Sequence, residues 1–73
     1  MMDVQQTNDY LDDIAEFVKC ADGGNVWRFR YWHEARRALR EIGGRARPWN
    51  WTPSDEGVND HPPGRSPEIH VKN

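Results

Sequence analysis

The sequence predicts a small α+β protein: two helices with one or two short strands and a disordered C-terminal tail, with a mostly α arrangement as the alternative. Three observations lead there. Apolar residues recur at helical spacing in two runs, and each run is closed by a Gly-Gly pair. Between the runs, aromatic residues alternate with arginines. After residue 53 the composition shifts to proline, glycine and charge.

Residues 1–6 read as a flexible lead-in, followed by one folded domain over 7–53 and a disordered tail over 54–73. Thr7 or Asn8 suits a helix N-cap, and Asp9, Asp12 and Asp13 follow where negative charge complements the helix dipole. Tyr10, Leu11, Ile14, Ala15, Phe17, Val18 and Ala21 share one helical face, with Asp12, Asp13, Glu16 and Lys19 opposite. That pattern predicts an amphipathic helix ended by Gly23-Gly24.

Residues 25–31 carry two patterns. Trp27, Phe29 and Tyr31 alternate with Arg28 and Arg30, a period of two that reads as strand. Trp27, Tyr31, Trp32, Ala35, Ala38, Leu39 and Ile42 also share a helical face, which would allow one helix over 26–42. The preferred reading is a short strand running into a helix over about 32–42, stopped by Gly43-Gly44. Residues 45–53 are expected to be extended, because Pro48 and Pro53 each push the preceding residue out of the helical region. Trp49 and Trp51 would then point to one side, and the segment could pair with 26–30 as an edge strand that tolerates Pro48. In the tail, only PEIHVKN has the composition for a strand, and a transient one.

A chain of 73 residues with 36% apolar residues forms a marginal core. Four tryptophans between positions 27 and 51 offset this and place the core in the middle of the chain. The single cysteine, Cys20, forms no intramolecular disulfide, which fits a reducing compartment such as cytoplasm. No apolar run reaches the roughly 20 residues of a membrane span, and the opening residues lack the pattern of a signal peptide.

Charge is segregated. Residues 28–47 hold seven arginines against Glu34 and Glu41, a local charge of +5, so at a net charge of −2 the remainder carries −7. Such asymmetry points to a partner. Arg28, Arg30, Arg36, Arg37, Arg40, Arg45 and Arg47, with Trp49 and Trp51, are the candidate partner-binding residues. Arginine pairs with carboxylate and phosphate and stacks on aromatic rings, and Arg with Trp is enriched at interface hot spots. The competing reading is a solvated helix face with Trp/Arg packing in the core.

Catalysis finds no candidate. Cys20, His33, His61 and His70 lack metal-ligand spacing. Ser54 and Ser66 sit in the expected tail, without a frame to place a base. Asp12 and Asp13 diverge on a helix, and the Gly-Gly pairs read as helix stops rather than a phosphate loop. The expectation is therefore a binding and regulatory protein, not an enzyme, with no cofactor and no metal.

The opening MMDVQQTNDYLDDIAEF, the Arg/Trp centre WRFRYWHEARRALREIGG and the proline-rich end, over 73 residues, resemble the small RNA polymerase-binding transcription regulators of lytic Xanthomonas phages. The resemblance implies a monomer in the host bacterial cytoplasm that binds the β and β′ subunits of RNA polymerase near the RNA exit channel. It implies inhibition of initiation by sigma factor displacement, and antitermination on elongating polymerase. Nucleic acid contact within the transcription complex is a further expectation, and membrane contact is not. It assigns no individual site residues. The alternative is a small nucleic-acid-binding protein using the Arg/Trp surface, against which stands a pI of about 5.8. A third reading is an antitoxin-like partner of another host protein.

Overall fold

The computed structural model of the chain describes residues 2–51 and 66–73. Its elements run α1 (Val4–Ile14), β1 (Glu16–Ala21), β2 (Gly24–Arg28), α2 (Trp32–Ile42), β3 (Ala46–Pro48) and β4 (Glu68–Lys72). The strands form one antiparallel sheet in the order β1-β2-β4-β3. Two helices on a four-stranded sheet correct the expectation of one or two short strands and a disordered tail, and equally the mostly α alternative. Residues 54–65 of the expected tail lie outside the described residues, as do Thr52 and Pro53 of the expected domain. Residues 68–72 of the same tail form a strand in the interior of the sheet.

The first helix starts earlier and stops sooner than its apolar pattern suggests. Asp3 is the N-cap: its carboxylate accepts from the Gln6 N–H (2.8 Å), and the Asp3 N–H donates to Gln6 Oε1 (3.2 Å). This reciprocal capping box satisfies two otherwise orphan donors. Thr7 is therefore no cap but a buried residue of the second turn. The helix ends at Ile14, and Ala15 turns the chain into extended conformation. Phe17, Val18, Cys20 and Ala21 then belong to β1.

The turn explains the change. Asp22 and Gly23 both have positive φ (49° and 77°), as a two-residue type I′ hairpin requires. They join β1 to β2 with Ala21 opposite Gly24, so Gly23-Gly24 closes a hairpin instead of a helix. Gly24 also lies hard against β4: a Cβ there would meet the Val71 carbonyl oxygen at 2.1 Å. The register shifts between Phe17 and Lys19, leaving Val18 as a bulge on the edge strand.

The second helix forms over the residues its periodicity marked. Trp32, Ala35, Ala38 and Ile42 are buried, and the Gly43 N–H caps the Leu39 carbonyl at 3.0 Å with φ at 88°. Residues 45–53 were expected to pair with 26–30, yet β3 pairs with β4 instead. Pro48 sits at the end of that short edge strand, where its missing N–H costs no ladder bond.

Cross-strand partners share a face, so Trp27, Ile69, Val71, Ala46 and Pro48 lie on one side of the sheet. Leu11 from α1 and the α2 stripe pack into the same cluster as Trp27, Ile69 and Val71. Both helices therefore cover this face. Trp51 closes the cluster, crossing Trp32 edge to face at 5.0 Å. Each fully buried aliphatic side chain here contributes about 1.5–3 kcal/mol. No helix among the described residues is long and apolar enough to cross a membrane.

Candidate functional site

The helices differ in charge: α1 carries acids and no base, and α2 carries three arginines against Glu34 and Glu41. Asp9, Asp12 and Asp13 are exposed on α1. On α2, Arg37 and Arg40 are exposed and Arg36 is half-buried beside the apolar stripe. Arg37 has Glu41 one turn on at 3.9 Å, but both side chains are largely solvated, so the pair does little to quench the charge. Tyr10 on α1 is half-buried and lies within electrostatic reach of Arg37, Glu41 and Glu34 on α2. Burial raises its phenol above the ordinary value of about 10, opposed by the Arg37 charge and assisted by Glu41 and Glu34.

The other sheet face has no helix over it. Register places Glu16, Arg28 and Glu68 in a row across β1, β2 and β4. Arg28 bridges the two carboxylates, at 2.9 Å to Glu16 and 3.2 Å to Glu68. Further along, His70 lies between Val26 and Arg47 in register. It is 3% exposed, and its Nε2 donates to the Ala21 carbonyl at 2.6 Å. Trp49 stacks on the His70 ring (5.5 Å between centroids, 23° between planes), and the Lys19 ammonium lies 5.5 Å from the Trp49 centroid.

The nine candidate residues thus do not form one surface. Arg36, Arg37 and Arg40 lie on α2, Arg28 and Arg47 on the open sheet face, and Arg30 is exposed in the β2–α2 connection. Arg28 is held by two carboxylates and Arg47 faces Asp22 at 3.7 Å. Arg45 reaches back to α1, where its Nη2 donates to Thr7 Oγ1, and Thr7 Oγ1 donates to the Asp3 carbonyl at 2.7 Å. Arg45 Nε is buried with no partner among the described residues.

Trp49 and Trp51, expected on one side, lie on opposite faces. The chain bends at 49–50, and Asn50 fixes the bend. Its amide donates to the Ser66 carbonyl (3.2 Å) and accepts from the Glu68 N–H (2.9 Å). Trp51 is thereby turned onto the helix side, where its Nε1 donates to the Glu68 carbonyl at 2.7 Å. At 5% exposure it is core and no anchor for a partner.

Two clefts open between these elements. One of about 540 Å³ lies where α1 ends and α2 begins, and mixes Asp13, Glu16 and Glu34 with Arg28 and Arg30. The second, about 240 Å³, is lined by Arg45, Arg47, Lys72 and His70 against a single acid, Asp22. Lys19, His70 and Lys72 escaped sequence reasoning; the alternation of PEIHVKN was the available signal. Cys20 is exposed on β1. No group of three or more metal-ligating side chains gathers among the described residues, and His61 lies outside them. No family model matches the chain, and neither a curated protein nor a solved structure matches it.

Proposed function

We propose that the protein is a phage-encoded transcription regulator that binds bacterial RNA polymerase in the host cytoplasm. It contacts the β and β′ subunits as a monomer, inhibits initiation by displacing the sigma factor, and promotes antitermination. The observation that carries this reading is the division of charge between the two helices, an acidic α1 and an arginine-bearing α2. Two rigid surfaces of opposite sign suit a bipartite contact, one for a basic and one for an acidic partner surface. The resemblance of the opening segment and the Arg/Trp centre to small phage regulators of polymerase supports the same partner.

The protein then works by binding free energy alone. It displaces sigma only if its own complex disfavours the sigma-bound state or overlaps the sigma site, and the coupling is reciprocal. A standard interface uses roughly 20–30 residues a side, so two contacts would engage most of this chain. Purified bacterial holoenzyme, titrated with the protein, tests the reading. The expected result is release of sigma on native gels, loss of promoter run-off, and increased read-through of a terminator by polymerase already elongating. Sigma retention with unchanged run-off and termination would contradict it.

A further inference from the structure

We propose a nucleotide-binding site on the open sheet face, with Trp49 as the shelf for a base and the cleft lined by Arg47 and Lys72 as the seat of a phosphate. Single-stranded nucleic acid and free nucleotide share this chemistry. The proposal does not depend on the polymerase reading, which uses the helices on the other side of the sheet.

His70 ties the two halves together. It lines the cleft and lies beneath the Trp49 ring. It is almost fully buried while Trp49 is half-buried, so Trp49 covers the histidine and keeps part of its ring accessible. The hydrogen bond to the Ala21 carbonyl fixes the imidazole, and that in turn holds the shelf against the cleft wall. Lys19 lies over the indole, which marks a π face that attracts cations. The lysine is exposed and can swing toward a phosphate as a base takes its place.

The cleft has the charge for an anion. Arg47 and Lys72 line it with one carboxylate, Asp22, whose contact with Arg47 is long (3.7 Å) and solvated (60% and 65% exposed). A phosphate competes readily with such a pair. Arg45 lines the cleft but turns its guanidinium to Thr7 on α1, so the phosphate contacts fall to Arg47 and Lys72. A carboxylate ligand would use the cleft alone; a basic cleft sharing a wall with an aromatic shelf matches a base joined to a phosphate.

The test is an amide and indole NMR titration of the full chain with AMP, with single-stranded RNA of about ten nucleotides, and with a polyglutamate peptide. Either nucleotide probe is expected to shift the Trp49 indole and the Lys19, Arg47, His70 and Lys72 amides, leaving α2 unmoved. Tighter binding of the RNA identifies a strand as the ligand, and equal binding a free nucleotide. Arg47→Glu is expected to weaken binding about tenfold or more, steeply with salt, and its exposed position leaves the fold intact. Trp49→Ala is expected to weaken binding about tenfold, and Trp49→Phe to restore most of it. Absence of shifts with both nucleotide probes, shifts confined to α2, or equal response to polyglutamate would overturn the proposal.

Discussion

At the scale of single residues, side chains outside the apolar pattern do much of the positioning. Asn50 makes two hydrogen bonds to the backbone around Glu68 and thereby sends Trp49 and Trp51 to opposite faces. Asn50→Ala is expected to destabilise the protein by about 1–3 kcal/mol, because it strands partly buried backbone groups. A denaturant melt checks this; an unchanged midpoint would show that the bend holds without the amide. Tyr10 offers a second check. Its phenol is raised by burial while Arg37 pulls it down, so Arg37→Gln is expected to move it higher still. The neutral phenol is the form the fold favours. Stability linked to it is therefore present below the ordinary phenol value and lost as pH rises through the raised folded one. Ultraviolet titration of tyrosinate in the wild type and variant reads the shift; a downward move would mean that Arg37 is not beside Tyr10. None of these residues stands out in the sequence, because a clamping amide or a capping Asp-x-x-Gln looks like ordinary surface polarity until its partners are placed.

At the scale of elements, legibility depends on where an element finds its partners. The α2 stripe of Trp32, Ala35, Ala38 and Ile42 lies within one run, so its helix can be read directly. The first apolar run misleads because Tyr10, Leu11 and Ile14 are followed in helical phase by Phe17, Val18 and Ala21, which belong to a strand. Asp22-Gly23 between β-forming flanks carried the hairpin signal. β4 was hardest to read. Its hydrogen-bonding neighbours, β2 and β3, lie far back in the chain, and PEIHVKN alone has nothing to pair with. The turn can be tested directly. Gly23→Ala meets no neighbour but must hold a positive φ, which costs roughly 1–2 kcal/mol. Gly24→Ala adds a collision with the Val71 carbonyl and is expected to cost more. Thermal unfolding should rank wild type above Gly23→Ala above Gly24→Ala; the reverse order for the two variants would refute the β2–β4 approach.

At the scale of the whole molecule, the sheet divides the protein into two working sides. Charged helices cover the core on one side, and the Trp49/His70 stack and basic cleft occupy the other. The strand that joins these sides is β4, whose Ile69 and Val71 enter the core while His70 faces the opposite way. A chain ending at residue 65 is expected to lose cooperative unfolding altogether, since a core this small has little stability to spare. Circular dichroism would show it; a cooperative melt in the shortened chain would mean that β4 is dispensable. The candidate site was only partly legible for the same reason. Seven arginines in one stretch read as a single basic surface, but the fold distributes them over α2, the open sheet face and the contact with Thr7.

The charge on the helices is the basis of the regulatory reading, and its most direct test is binding to purified core RNA polymerase. Arg36→Glu with Arg40→Glu reverses the basic flank of α2, and Lys19→Glu with Arg47→Glu reverses the opposite sheet face. With native dichroism in both, the first pair is expected to abolish binding, because reversal adds repulsion to the loss of attraction. The second pair is expected to bind polymerase as the wild type does. Wild-type binding by the helix variant would contradict the assignment of α2 as an interface, and failure of the wild-type protein to bind core polymerase would contradict the proposed partner.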